Sequence, residues 1–302
     1  MMIAVVFAVI TFTFFMGALV PGDVARMLAG LEASEHDVQL IRDKYGLDEP
    51  LIVQYGRYLS RLAHGDLGRS IRTKRLVIDE VASRYPATME LAVTSTILSF
   101  LFAILFGSWA AIHFNGPVDT GTMIGALVGV SMPAFWRGLM LMLVFSLFLG
   151  WLPPSGRGAL FSLDGILHLV LPVTTLTMGG AATLTRLTRS SMLEVLGQNY
   201  VVTARGKGLS PFHVHYRHAL RNALLPVVTM AGVQFGALLG GTVVIENVFA
   251  WPGMGRLMVE SILSKDFPVV QGAVLFFAVS LAVVNLLIDL SYASLDPRIR
   301  YS

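Results

Sequence analysis

Residues 199–226 read NYVVTARGKGLSPFHVHYRHALRNALLP and stand between two long apolar runs. The stretch carries Arg205, Lys207, Arg217 and Arg221 and is punctuated by Gly206 and Gly208. Thr203–Lys207 can make a short helix that Gly208 stops in a left-handed conformation. Ser210 is a good N-cap, and Pro211 suits the first position of a second helix. Two short helices on a loop make a projecting knob, shaped to enter a cleft on a partner. A solvated loop with no partner is the plainer reading of the same letters.

The flanking runs set the solvent. Of 302 residues, 55% are hydrophobic and 14% charged, with a mean hydropathy of +0.69. Too little charge is present to cover a soluble domain of this size. The net charge of +3 is small and scattered, which argues against a nucleic-acid partner. Cysteine is absent, so disulfide and thiolate chemistry are excluded.

A helix needs about 20 apolar residues to cross the hydrocarbon core. Six stretches qualify: Met1–Val20, Ala87–Ile112, Gly121–Gly150, Ile166–Leu187, Ala223–Ile245 and Val269–Tyr292. The third is long enough to tilt or break, and Pro133 gives it a place to break. The first lacks a basic n-region and a small-x-small site before Pro21-Gly22-Asp23, so it is expected to be a retained helix rather than a cleaved signal.

Lys and Arg set the orientation. Arg186, Arg189, Arg205, Lys207, Arg217 and Arg221 mark the loop between spans four and five, and Arg298 and Arg300 mark the tail. The opposite short loops hold Arg157, Arg256 and Lys265. The positive-inside rule then places the basic loop and both termini in the cytoplasm. Pro21–Tyr85 carries ten basic residues on the other side, but it is long enough that charge counting loses force there. Within it Ser34-Glu35-His36-Asp37 reads as a helix start and Gly46 as a stop. A second amphipathic run covers Leu51–Ala63. These short helices are either a structural cap on the outer face or a dock for a partner that delivers substrate.

Several segments together resemble a known family. The loop letters TARGKGL and RHALRNALLP resemble the cytoplasmic coupling loop of the dipeptide/oligopeptide/nickel branch of ABC-importer permeases. Aligned on Gly208 to the broader importer pattern E-A-A-x3-G-x9-I-x-L-P, the chain has Val202, Thr203 and Ala204, then His218, Leu220 and Arg221. The glutamate and proline of that pattern are missing. Leu19–Asp23 (LVPGD), His64–Ser70 (HGDLGRS), Val130–Trp136 (VSMPAFW), Glu246–Gly255 (ENVFAWPGMG) and Asp289–Tyr301 (DLSYASLDPRIRY) resemble further segments of that branch, in the same order.

The resemblance implies an all-α integral membrane protein with six transmembrane helices and the type-1 ABC importer permease fold. Its parts would be a first helix (1–20), a helical extracytoplasmic insert (21–86), a five-helix core (87–292) containing the coupling loop (188–225), and a tail (293–302). Thr203, Ala204, Arg205, Lys207, Gly208, Leu209, His218, Leu220 and Arg221 would meet the ATPase. The implied partners are a second, related permease in a heterodimer, two cytoplasmic ABC ATPase subunits, an extracytoplasmic solute-binding protein and membrane lipid. The implied location is the bacterial inner membrane. The solute would be a dipeptide or oligopeptide, with nickel chelates, glutathione or another small solute as alternatives.

Candidates for the substrate path are Ser131, Met132, Pro133, Arg137 and Gln234. Arg137 stands out, because a charge near the middle of a span is costly unless paired or hydrated. It reads either as a contact for a solute anion or as a structural cation, paired with Glu246 or Asp289 or left near the interface by a break at Pro133. Gly232, Gly236 and Gly240 form a small-residue stripe that fits packing inside the chain or a seam against a second permease. Pro226, like Pro133, could loosen its helix.

His213, His215 and His218 lack a nearby carboxylate or thiolate, so no metal site is expected. No P-loop, H-E-x-x-H or G-x-S-x-G motif occurs, so neither a cofactor nor catalysis is expected of this chain. An ATPase-independent secondary transporter is the competing class. It would call for intramembrane carboxylate or histidine relays and internal repeats.

Overall fold

The computed structural model describes residues 2–19, 25–26, 33–159 and 162–295. In chain order the helices are α1 (Met2–Leu19), α2 (Glu35–Tyr45), α3 (Leu51–Ala63), α4 (Val77–Ile112), α5 (Pro117–Ser131), α6 (Ala134–Leu141), α7 (Leu163–Leu196), α8 (Asn199–Gly206), α9 (Arg221–Val248), α10 (Met254–Leu263) and α11 (Phe267–Leu295). Two segments are π-helical: Met142–Phe148 continues α6, and His213–Leu220 leads into α9.

By length and hydropathy, four helices among the described residues can cross a membrane: Val77–Ile112, Leu163–Leu196, His213–Val248 and Phe267–Ile288. The pair Pro117–Ser131 and Ala134–Phe148 would make a fifth, bent by 104° at the break that Pro133 supplies. The apolar part of α1, Ala4–Phe15, is shorter. Several expected boundaries move. Helix α4 starts ten residues before the expected Ala87 and carries Pro86 inside it. Helix α7 runs on to Leu196, nine residues past the expected Leu187. Pro226 also sits inside a continuous helix, so it does not mark a break as Pro133 does.

The chain divides into two compact units, residues 1–86 with 257–282 and residues 87–256 with 283–302. In the first, α2 has the expected ends. The Ser34 hydroxyl accepts from the Asp37 amide at 3.2 Å, and the Asp37 carboxylate accepts from the Ser34 amide. That capping box satisfies two end donors at once. Gly46 closes the helix at φ +63°. Helix α3 covers the expected residues and sets Tyr55 and Tyr58 against Phe14 of α1, with ring centroids 5.2 and 5.4 Å apart.

The HGDLGRS segment forms a tight turn with Gly65 and Gly68 at positive φ. The Asp266 carboxylate holds that turn, accepting from the Ser70 hydroxyl and the amides of Ile71 and Arg72.

The second unit is built on α7, which packs on α4, α5, α6 and α9 through glycine and hydroxyl contacts. A Cβ on Gly107 would come within 2.6 Å of Thr188, and one on Gly129 within 3.0 Å of the Met178 carbonyl. Close backbone approach of this kind replaces the hydrophobic driving force that lipid does not supply. The buried hydroxyls of Thr175 and Thr188 bond their own helix four residues back, at 2.8 Å each. Polar letters can therefore continue a buried helix, which explains why α7 outruns the expected end.

Candidate functional site: the 199–217 knob and the polar belt at Arg137

The knob forms much as its letters direct. Helix α8 covers Asn199–Gly206, and Gly208 follows at φ +78°. A Cβ is disfavoured at that φ, whereas glycine adopts it readily. Ser210 meets the ring of His213 at 2.9 Å rather than a backbone amide. The second helix is not separate, as its letters suggested. It runs from Pro211 through the π-helical segment into α9 without a gap.

Val201, Ala204 and Val214 bury one side of the knob against Val195 and Leu196. The other side is exposed and carries Val202, Leu209, Phe212 and Tyr216 interspersed with Arg205, Lys207 and Arg217. Phe212 is 68% exposed. Of the expected contact residues, Thr203, Arg205, Lys207, Gly208, Leu209 and Arg221 face outward. Ala204 is part of the knob's own core, and His218 and Leu220 are half-buried. Phe212 and Tyr216 were not singled out by sequence; their signal was an exposed aromatic pair beside the basic letters.

The break at Met132–Pro133 defines a second feature. Arg137 is 6% exposed, and its Nη1 donates to the carbonyl of Gly129, in the last turn of α5. A helix end leaves four carbonyls without intrahelical partners, and a cation there also meets the negative end of the helix dipole. The expected partner Glu246 is engaged elsewhere, and the side chain of Asp289 lies outside the described residues. The Arg137 guanidinium instead lies beside Gly179, while Gln234 and Ser99 face the adjoining Gly180. Arg137, Gln234 and Ser99 thus flank one diglycine of α7. Ser95 Oγ and Arg137 Nε are buried there without a hydrogen-bond partner. Ser131 and Pro133 are exposed and Met132 is half-buried, and the Ser131 hydroxyl returns to the Leu127 carbonyl at 2.8 Å. An apolar groove of about 800 Å³ runs along α4, α5 and α7. None of the five path candidates lines it.

The glycine stripe divides. Gly232 faces Ile288 of this chain so closely that a Cβ would collide, Gly236 is buried, and Gly240 meets nothing within 4 Å. Four residues turn a helix about 40° past one full turn, so the stripe drifts from an inner face to an open one.

The segment Glu246–Gly255 folds on itself. The buried Glu246 carboxylate accepts from Thr88 Oγ1 at 2.7 Å and from the Arg256 amide at 2.9 Å. Thr88 Oγ1 accepts in turn from the Met254 amide, and Trp251 Nε1 donates to the Ala87 carbonyl at 2.9 Å. A Cβ on Gly253 would run into the Glu246 carboxylate. Nearby, Arg157 pairs with Glu90 at 2.7 Å and lies 5.8 Å from the Trp251 ring. At the start of α5, Asp119 makes a two-point ion pair with Arg189, at 2.5 and 2.7 Å. Sequence read Arg189 only as loop charge. No group of three potential metal ligands comes together among the described residues.

Comparisons with known proteins agree with this architecture. Residues 103–301 match the family of binding-protein-dependent transport system inner membrane components, and residues 1–92 match the N-terminal family of the same membrane components. The glutathione transport system permease protein GsiC of Salmonella paratyphi A is 46% identical over 283 residues, covering 94% of this chain and 90% of the relative. GsiC of Escherichia coli strain K12 is 43% identical over 300 residues, covering 99% and 96%. A chain of the inward-facing MetNI methionine ABC transporter shares the fold, with a TM-score of 0.58 at 15% identity, covering 71% of this chain and 95% of that one. A chain of an amino acid ABC transporter with histidines gives 0.54 at 14% identity, covering 77% and 95%. The chain therefore belongs to the binding-protein-dependent transport system inner membrane components, the multi-pass permease subunits of ABC importers.

Proposed function

We propose that this permease crosses the inner membrane six times, with α1 as the first crossing and both termini and the 199–217 knob in the cytoplasm. It forms half of a translocation path with a second, related permease, and the open face at Gly240 lies on the seam between them. One of two ABC ATPases docks on the knob, the pair supplies the hydrolysis, and an extracytoplasmic binding protein delivers the solute to the side bearing α2 and α3. ATP binding closes the ATPases, the knob moves with them, and the path changes the side to which it opens. The requirement is only that the knob bind differently in the two states.

The observation that carries this reading is the knob's outer face. It exposes Val202, Leu209, Phe212 and Tyr216 among cations, a surface this chain does not cover among the described residues. Exposed apolar patches rimmed by polar groups mark interaction sites.

The solute is a small peptide, and glutathione is the first to try, because the GsiC relatives are named for it. Both present carboxylates. The belt of Arg137, Gln234 and Ser99 is the place in this chain to meet one, since a buried guanidinium with an unpartnered Nε favours an anion. Arg137→Met in an importer that still assembles should abolish transport, and unchanged transport would remove Arg137 from the path.

Gentle purification of the tagged chain from its host tests the whole reading. Co-purification of a second permease and two ATPases, with hydrolysis stimulated by a glutathione-loaded binding protein, is the expected result. Recovery of the chain alone, still moving solute under an ion gradient, would favour a secondary transporter.

A further inference from the structure

Helix α8 is tied to the helix that follows it at two places, and the ties differ in kind. One is the small apolar contact of Val201 and Ala204 with Val214. The other is polar. Asn222 Nδ2 donates to the Tyr200 hydroxyl at 2.7 Å and to the His218 carbonyl at 3.3 Å, and the Tyr200 hydroxyl faces the same carbonyl at 3.4 Å. Val214 lies inside the π-helical segment His213–Leu220 and Asn222 lies just past its end, in α9. The ties therefore bracket most of that segment.

A π-helical stretch is rare and tends to sit at functional positions. Where i+5 bonding returns to i+4 bonding, the backbone ladder changes register, and a carbonyl nearby becomes available to side chains. Such a stretch is a natural flexing point in an otherwise continuous helix. Without a second tie, force applied at the knob would bend the π-helical segment instead of moving α9.

We propose that the Tyr200–Asn222 hydrogen bond is a latch that makes the knob and α9 move as one lever, so that ATPase closure is converted into helix movement. Tyr200 and Asn222 are positioning residues for coupling. The inference rests on the reading of the knob as the ATPase dock. It adds that the docking surface and the transmission element are separate: Phe212 and Leu209 hold the partner, whereas Tyr200 and Asn222 pass on the motion.

The test uses the assembled importer, with its second permease, ATPases and binding protein, reconstituted in lipid vesicles with labelled glutathione and, in parallel, a labelled dipeptide. The readout is solute moved per ATP hydrolysed. Tyr200 is 42% exposed, so Tyr200→Phe keeps the ring and removes only the hydroxyl. The ratio is expected to fall roughly two- to tenfold, the range one hydrogen bond supports, while ATPase association and hydrolysis persist. Asn222→Leu should do the same, and the double variant should be no worse than either single one. Asn222→Gln, which keeps an amide donor, should hold the ratio closer to the wild-type value than Asn222→Leu does.

An unchanged ratio in Tyr200→Phe and Asn222→Leu would overturn the latch. So would loss of ATPase association in Tyr200→Phe, which would make Tyr200 a docking contact. If the wild-type chain assembles with no ATPase at all, the docking reading fails and the latch fails with it. A complex that assembles and hydrolyses normally but couples normally in both variants sinks the latch alone.

Discussion

Residues 246–255 and 199–217 both carry letters of the importer family, yet they answer to different constraints. In the first, nearly every special letter is explained inside the chain. Glu246 gathers Thr88 and the backbone beyond it, Gly253 leaves room for that carboxylate, and Trp251 spans to Ala87. In the second, Val201, Ala204 and Val214 are explained by packing, but Val202, Leu209, Phe212 and the cations are not. Letters that a fold does not need point to something outside it. The first stretch is where this protein holds itself together, and the second is where we propose that it meets another.

Substitutions can break or sharpen that contrast. The largest loss of stability is expected from Glu246→Leu, which removes the acceptor used by Thr88 and the 256 amide, at a cost of about 3 kcal/mol. Thermal unfolding of the purified protein should show it, and an unaltered midpoint would mean the carboxylate does not organise this loop. Gly253→Val drives a side chain into the same carboxylate and should lower the unfolding midpoint as well, at a cost of about 1–3 kcal/mol. In the knob, Gly208→Val must hold a β-branched residue at φ +78°. It should cost about 1–2 kcal/mol while mainly uncoupling hydrolysis from transport. Phe212→Ala should leave stability within about 0.5 kcal/mol yet sharply reduce ATPase recovery in a pull-down. A Phe212→Ala protein that unfolds early but keeps its ATPase would erase the distinction.

Much of this was legible in the letters. Ser34 and Gly46 marked both ends of α2, Gly208 the left-handed turn after α8, and Pro133 the break in the third apolar stretch, because each depends on local backbone chemistry. What escaped was set at a distance. Asp119 and Arg189 are 70 residues apart and pair in space, and Arg137 finds a carbonyl rather than a carboxylate because the break beside it frees one. The second span was expected to begin at Ala87, but α4 begins at Val77 and runs through Pro86. Helix α7 outlasted its apolar letters because its buried hydroxyls bond their own backbone. The π-helical register at His213–Leu220 leaves no mark in residue type, so the second helix of the knob could not be read as part of α9. Ala204 matched a docking pattern, but in fact it faces inward.

The most direct test of the central claim is site-directed cross-linking at the knob. The chain has no cysteine, so Phe212→Cys places a single thiol on the exposed face. In the assembled importer this thiol should cross-link to an ATPase subunit, with a yield that changes when ATP is added. It should also resist a membrane-impermeant thiol reagent applied to intact cells from outside. Ready labelling from outside, with no ATPase adduct, would contradict the account.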